Sequence, residues 1–115
     1  LEHARRIATI VSVQNEYNVE NRESESVLAA CQQAGIAFIP WYPLGAGRAL
    51  RAAAVKRIAA RLGATPAQVA LAWLLARSPA MLPIPGTGSI AHLEENAAAA
   101  RLKLTTADLA VLGDK

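Results

Sequence analysis

The sequence lacks the features that mark disulfide-rich, nucleic-acid-binding and membrane-spanning proteins. A single cysteine, Cys31, cannot build a disulfide framework. The 12 basic and 9 acidic residues leave a net charge of +3, and no stretch gathers five or six basic residues, so we expect no nucleic-acid partner. No apolar run reaches the roughly 18 residues of a membrane span, so we expect no membrane partner. These absences favour a soluble cytoplasmic protein.

Side chains for acid–base or metal chemistry are also few. The two histidines, His3 and His92, are isolated from each other, and Asp108 and Asp114 are the only aspartates. A metal site needs several such ligands at short spacing, so we expect no metal. Acid–base catalysis needs a proton donor beside a second titratable group, and only Tyr42 and His92 lie near a predicted site edge. The sequence therefore indicates a binding surface without a catalytic centre.

The chain is rich in apolar residues, which make up 53% of it against 18% charged residues. That balance excludes intrinsic disorder. A length of 115 residues allows one domain, 1–115, because typical domains have about 100–200 residues. The chain begins at Leu1 without an initiator methionine, and we interpret its start as cut.

Short apolar runs alternate with helical segments along the chain. Runs of strand length predict three strands, at 10–14, 36–42 and 81–85. Apolar spacing and end signals predict helices at about 24–34, 50–62, 66–76 and 90–100, and a further helix from 105 onward. This order predicts an α/β fold with parallel strands joined by right-handed crossovers.

Local signals place two of these helices in the core. Thr65 and Gln68 form a predicted capping box, with Pro66 in the first turn, where no amide donor is missed. The helix that they open is apolar almost all round, which is typical of a helix buried between other elements. Cys31 falls on the apolar face of the helix at 24–34, so we interpret it as a core residue rather than a nucleophile. Three strands cannot cover this much apolar surface, and the chain is predicted to be part of something larger.

Polar or glycine-rich sequence follows each predicted strand, at the edge where parallel α/β folds bind ligands. The segment Gly86-Thr87-Gly88-Ser89 leads directly into a helix, whose free amide groups and dipole attract phosphate. The alternative is that Ser89 only caps this helix and the glycines only form a turn, and the sequence leaves both open. Gly45-Ala46-Gly47 does not complete a Rossmann fingerprint, because Leu50 stands where the third glycine belongs.

Four motifs together resemble the C-terminal half of the aldo-keto reductases. In chain order they are Val13-Gln14-Asn15-Glu16-Tyr17-Asn18 with Arg22, residues 34–45 (AGIAFIPWYPLG), residues 65–75 (TPAQVALAWLL), and Ile84-Pro85-Gly86-Thr87 continuing to His92-Leu93-Glu94-Glu95-Asn96. The resemblance implies part of a TIM (β/α)8 barrel: the tail of helix five in residues 1–8, then the three C-terminal β–α units, with parallel strands six, seven and eight. The N-terminal half of the barrel is then absent, because a complete barrel needs about 250 residues.

The resemblance also implies an activity, the NADPH-dependent reduction of aldehydes and ketones, with NADP(H) as the cofactor and a small-molecule carbonyl substrate. It assigns Gln14 to the nicotinamide carboxamide and Trp41 to the nicotinamide ring. It assigns the loop over the pyrophosphate to Tyr42, Pro43, Leu44, Gly45, Ala46 and Gly47. It assigns the surroundings of the adenosine 2′-phosphate to Gly86, Thr87, Gly88, Ser89 and His92, and the adenine side to Glu95 and Asn96.

His92 departs from the family pattern, since many members have arginine there. A neutral imidazole lacks the charge and the fork of a guanidinium, which weakens the expected preference for NADPH over NADH. The family's catalytic aspartate, tyrosine, lysine and histidine match no residue of this chain, so no catalytic residue is assigned and the isolated chain is expected to be inactive. The alternative function is a non-catalytic half-barrel module for binding or assembly, which pairs with itself or with an N-terminal chain. Exposed half-barrel surfaces favour self-association.

Overall fold

A computed structural model describes residues 1–113, so residues 114 and 115 of the predicted domain lie outside the described residues. The two strands are β1 (Ser12–Glu16) and β2 (Ala37–Trp41). The helices are α1 (Glu2–Arg5), α2 (Glu25–Ala34), α3 (Ala53–Leu62), α4 (Pro66–Arg77), α5 (Ile90–Ala98) and α6 (Thr106–Gly113). Short 3-10 turns lie at Gly45–Gly47, Ala49–Arg51 and Ala99–Arg101. The predicted tail of a helix in residues 1–8 is the single turn of α1.

Several helix ends lie where their sequence signals place them, but the helix predicted from about residue 50 begins only at Ala53, after the separate 3-10 turn Ala49–Arg51. Thr65 and Gln68 form the predicted capping box: the Gln68 amide donates to Thr65 Oγ1 at 3.2 Å, and the Thr65 amide donates to Gln68 Oε1 at 3.1 Å. Gly35 and Gly63 end α2 and α3 in the left-handed conformation, with φ of +65° and +61°. A side chain is strained in that conformation, which explains why glycine follows both helices.

The sheet has two parallel strands within the described residues, with Gln14 opposite Ile39 and Glu16 opposite Trp41. The predicted third strand at 81–85 is wrong as a strand: it reaches β2 through one bridge, where the Phe38 amide donates to Ala80 O and the Leu82 amide donates to Phe38 O, each at 2.8 Å. The next hydrogen bond of a parallel ladder would need an amide proton on Pro40, and proline has none.

The core forms between the sheet and α4. Tyr17 and Trp73 are fully buried and stack with ring centroids 5.8 Å apart, and Phe38 meets Tyr17 edge-on at the same distance. Leu74 of α4 is also fully buried, which confirms the prediction of a buried helix. Cys31 lies in the same core, and burial raises the pKa of its thiol, so its interpretation as a core residue is confirmed.

Several large apolar side chains beside α4 remain exposed. Leu82 and Ile84, on the segment after α4, are about half exposed, and Leu75 and Leu93 are exposed beside them. No single helix of residues 1–113 is long and apolar enough to cross a membrane, and α3 with α4 passes that test only as a pair bent by 100°.

Candidate functional site

The carboxyl ends of β1 and β2 form one edge of the sheet, and the predicted site residues begin there. Glu16 lies directly opposite Trp41 in the strand register, so their side chains share a face of the sheet. Gln14 lies two residues before Glu16 and projects from that same face. Trp41 is 37% exposed, and its ring centroid lies 5.1 Å from that of Tyr42. An accessible aromatic surface therefore stands at the end of β2.

The loop that follows Trp41 has an unusual backbone. Tyr42 and Ala46 have φ of +52° and +50°, in the left-handed region where few residues other than glycine lie. Gly45 and Gly47 also have positive φ, and they adopt it without strain. A strained backbone persists only where its surroundings hold it, and such positions cluster at ligand sites.

Asn18, two residues after the end of β1, contacts this loop through its side chain. Its side-chain Nδ2 donates to the carbonyl of Tyr42 at 3.1 Å. Its Oδ1 accepts from the amides of Glu20 and Asn21 at 2.9 and 3.0 Å. The turn after β1 and the loop after β2 are thereby joined through one buried side chain.

The start of α5 forms the other end of this edge. Ser89 caps the helix by accepting from the His92 amide at 3.4 Å, and its own amide donates to Thr87 Oγ1 at 3.1 Å. Ser89 therefore caps α5, as one of the two interpretations of this segment predicts. Glu95 fixes α5 to α4, because its Oε1 accepts from Thr65 Oγ1 at 2.6 Å.

Three cavities follow one another along the edge, and neighbouring cavities share lining residues. The first, of about 490 Å³, is lined by Glu16, Trp41, Tyr42, Gly45, Ala46 and Arg48. The second, of about 370 Å³, is lined by Tyr42, Pro43, Leu44, Ala46, Gly47, Ile84, Pro85 and Gly86. The third, of about 190 Å³, is lined by Leu44, Leu50, Ala67, Gly86, Thr87, His92, Glu95 and Asn96. We call this series the edge cleft.

The edge cleft brings together most of the predicted site residues. Those that line it are Trp41, Tyr42, Pro43, Leu44, Gly45, Ala46, Gly47, Gly86, Thr87, His92, Glu95 and Asn96. Three others do not line it: Gln14, on the open face of β1, and Gly88 and Ser89, in the turn before α5.

Sequence reasoning missed three residues of this region, namely Glu16, Asn18 and Arg48. Glu16 and Asn18 stand inside the first resemblance motif but were given no role. Arg48 was also given no role, and it lies before α3 and lines the first cavity. A signal was present for Glu16 alone, because it is two residues after Gln14, the last residue of the strand predicted at 10–14, and an extended chain places both side chains on the same face.

Tyr17 follows β1 directly but does not line the edge cleft. Tyr17 lies in the core. Its pKa is raised to about 12, mainly by burial and further by its hydrogen bond to Glu25. A phenol with that pKa stays protonated at neutral pH and has no access to the edge cleft. Among residues 1–113, no group of three histidine, cysteine or acidic side chains could hold a metal ion. What the geometry offers is an elongated binding cleft with an aromatic surface at one end and a capped helix start at the other.

Known proteins resemble this chain in sequence. The sequence profile of the aldo/keto reductase family matches residues 1–114. Pyridoxine 4-dehydrogenase of Escherichia coli is 52% identical over 109 residues, which cover 95% of this chain and 38% of that enzyme. The chain thus spans less than half the length of this relative.

Solved structures of aldo-keto reductases superpose on this chain. A thermostable aldo-keto reductase in complex with the inhibitor epalrestat superposes with a TM-score of 0.87 at 35% identity, over 97% of this chain and 43% of the other. An aldo/keto reductase of Klebsiella pneumoniae in complex with NADP and acetate superposes with a TM-score of 0.82 at 32% identity, over 89% of this chain and 38% of the other.

Proposed function

The chain belongs to the aldo/keto reductase family, and from this premise we propose that it is the cofactor-binding part of an NADPH-dependent reductase of aldehydes and ketones, with NADP(H) bound in the edge cleft. The observation that carries the proposal is the continuity of the cleft from Trp41 to Asn96. A dinucleotide is an elongated ligand with a flat ring system at each end and phosphates between. The cleft matches that order, with an aromatic surface, a glycine-containing loop and a helix start.

The roles of the residues follow from that order. When bound, NADPH supplies a hydride to a carbonyl carbon. Trp41 offers a ring face for stacking, and Gln14, on the same side of the sheet, offers an amide to the carboxamide. The loop at 42–47 offers backbone amides to the pyrophosphate. The start of α5 offers free amides and hydroxyl groups to the adenosine 2′-phosphate.

Charge along the cleft supports an anionic ligand at one place, beside Arg48. Arg48 lines the first cavity, beside the loop that would face the pyrophosphate. His92 lines the third cavity, and it is joined there by Glu95, whose carboxylate is already held by Thr65. A histidine supplies less charge than an arginine at a phosphate, so we propose a moderate preference for NADPH over NADH.

The residues that would protonate the carbonyl oxygen lie, in this proposal, outside the 115 residues. Tyr17, the one tyrosine near β1, is buried away from the cleft and has its pKa raised to about 12, so it does not serve as the acid. We therefore propose that substrate, catalytic groups and the remainder of a barrel belong to the whole enzyme. Pyridoxine, for which the E. coli relative is named, is the first substrate to assay there. The cytoplasm remains the proposed location.

The test is a titration of the 115-residue chain with NADPH and with NADH by isothermal titration calorimetry. The proposal expects saturable binding of both, tighter for NADPH, and replacement of His92→Arg should widen that difference about tenfold by adding a full charge at the phosphate. The same chain should show no NADPH-dependent carbonyl reduction. Absence of nucleotide binding would overturn the cofactor role. Turnover by this chain would overturn the proposal that the catalytic groups lie outside the 115 residues.

The alternative, a half-barrel module for assembly, is supported by a different observation. An apolar groove of about 380 Å³ lies between α4, the segment at 82–85 and α5, lined by Leu71, Leu75, Leu82, Pro83, Pro85, Leu93, Asn96, Ala97 and Ala100. This groove is separate from most of the edge cleft. Self-association without nucleotide binding would favour the module, whereas nucleotide binding favours the reductase.

A further inference from the structure

Asn18 is a buried polar side chain whose every hydrogen-bonding group has a partner. It is 1% exposed. One side of its carboxamide, Oδ1, accepts from the amides of Glu20 and Asn21 and so closes the turn after β1. The other side, Nδ2, donates to the carbonyl of Tyr42 at 3.1 Å, which lies 24 residues further along the chain. One side chain thus serves a local turn and a distant loop.

The residue that Asn18 holds is one of the strained positions of the loop. Tyr42 has φ of +52°, and its carbonyl also accepts from the Gly45 amide at 2.8 Å. Gly45 itself lies against Asn18, because a Cβ placed on Gly45 would come within 3.5 Å of the Asn18 carboxamide. Asn18 therefore occupies the space beneath the first turn of the loop and fixes the orientation of its first carbonyl.

The loop has no other side chain of the described residues donating to its carbonyl groups. Its remaining hydrogen bonds run within the loop and into the turn after it, from the Gly47 amide to Leu44 O at 2.9 Å and from the Arg48 amide to Gly45 O at 3.0 Å. These local hydrogen bonds contribute little free energy compared with the backbone strain at Tyr42 and Ala46, so the loop needs a contact from outside to keep its conformation. The anchor from β1 is what ties the loop to the sheet.

We infer that Asn18 is a positioning residue for the nucleotide: it sets the conformation of the loop at 42–47, and through it the affinity for the pyrophosphate part of NADP(H). This inference rests on the proposed function for its ligand, but its structural half stands on the contacts of Asn18 alone. A residue that served only the turn after β1 would affect stability and leave the loop as it is.

The sharpest variant is Asn18→Asp, which has nearly the same shape. One carboxylate oxygen keeps the acceptor for Glu20 and Asn21, whereas the other replaces the donor to Tyr42 and faces its carbonyl. Asn21→Asp is the matched control: Asn21 Oδ1 accepts from the Glu23 amide at 3.1 Å, and this contact survives the change. Asn18→Ala removes the same donor without burying a charge, in case Asn18→Asp does not fold.

The first readout is amide hydrogen exchange measured by NMR, which requires no ligand. The exchange of the Gly45 and Gly47 amides should become about tenfold faster in the Asn18 variants, the effect of one lost hydrogen bond, while amides of α4 keep their rates. Asn21→Asp should leave the loop unchanged. Unchanged loop exchange in the Asn18 variants, or equal acceleration throughout the chain, would overturn the inference.

The second readout is nucleotide affinity. Asn18→Asp should weaken NADPH binding about tenfold and leave the binding of adenosine 2′-monophosphate unchanged, because that probe lacks the pyrophosphate. Faster loop exchange with unchanged NADPH affinity would overturn the nucleotide role of Asn18. If the wild-type chain bound neither nucleotide, the proposed function would fall, and the exchange rates would still decide whether Asn18 positions the loop.

Discussion

Trp41, the last residue of β2, exposes its ring at the edge cleft. It ends β2 opposite Glu16, and its exposure of 37% leaves a ring face available while its backbone stays within the strand. Trp73, the other tryptophan, is fully buried between Tyr17 and the guanidinium of Arg22, which lies 5.0 Å from its ring. Trp73 therefore packs in the core, whereas Trp41 is the tryptophan that we propose contacts the nucleotide.

Replacement of Trp41→Ala should weaken NADPH binding about tenfold, because the loss of one aromatic stacking partner costs that much in affinity. Trp41→Phe keeps a ring at the same place and should recover most of the affinity. Fluorescence quenching or calorimetry with NADPH measures both variants. Equal affinity of wild type and Trp41→Ala would count against the stacking role.

Tyr17 makes the stability of the protein depend on pH on the alkaline side. Its pKa rises from 10.0 to about 12 in the folded chain, so folding favours the protonated phenol. The stability that the fold gains from holding the phenol protonated is fully present below pH 10 and is lost as the pH rises from 10 toward 12. The free energy of unfolding, measured with urea at pH 9 and pH 11.5, should fall more steeply for wild type than for Tyr17→Phe. Parallel curves for the two proteins would contradict this.

At the scale of single residues, the sequence is informative where a residue type has one common use. Cys31 on an apolar face and Gly35 after a helix are such cases. Ala46 at φ +50° and the bond from Asn18 to Tyr42 could not be predicted, because both arise from contacts between segments distant in sequence.

The capping boxes of α4 and α6 are chemically alike but differently placed. Thr65 caps α4 and donates to Glu95 of α5, beside the edge cleft. Thr105 accepts from the Asp108 amide at 3.2 Å and donates to its carboxylate at 2.8 Å, far from the cleft residues in the fold's last helix. Substitutions of Thr65 and Thr105 therefore allow an effect on helix stability to be distinguished from an effect on the cleft.

Thr65→Ala and Thr105→Ala should each cost about 1 kcal/mol of unfolding free energy, the usual cost of a lost cap. Only Thr65→Ala should also weaken NADPH binding, because Glu95 loses the hydroxyl that fixes it in the third cavity. Urea unfolding and nucleotide titration of both variants test this. An equal loss of NADPH affinity in the two variants would contradict the positioning role of Thr65.

Helices were predicted better than strands, and the reason is local. Caps, glycines and apolar spacing lie within the helical segment itself, so the sequence contains the whole signal. The strand predicted at 81–85 depends on its neighbour: the ladder stops at Pro40, which lies in β2 and has no amide proton to donate. Strand pairing is a property of two segments, and one segment alone does not reveal it.

At the scale of the whole fold, the described residues leave large apolar side chains exposed beside α4 and α5. Leu82 at 54% and Leu93 at 59% exposure lie beside the groove between α4 and α5. The chain spans about two fifths of the length of the relatives it matches.

For the 115-residue chain by itself, we expect self-association through this surface, because contiguous exposed apolar area favours contacts between copies. Leu82→Lys should shift the chain toward the monomer in sedimentation velocity. Val111→Lys is the matched control, because Val111 is also exposed but lies on α6. A wild-type chain that stays monomeric, or an equal shift in both variants, would contradict the assignment of the surface.

An NMR titration of the chain with NADPH, with the amide signals followed residue by residue, shows directly where the nucleotide binds. We expect saturable shifts at residues 41–48 and 86–96, along the edge cleft. Residues at the opposite end of the strands, such as Gln32, Gly35 and Ala80, line a separate cavity and should not shift. Shifts confined to that opposite cavity, or no shifts at saturating NADPH, would contradict the central claim that this chain binds the cofactor at the carboxyl edge of its sheet.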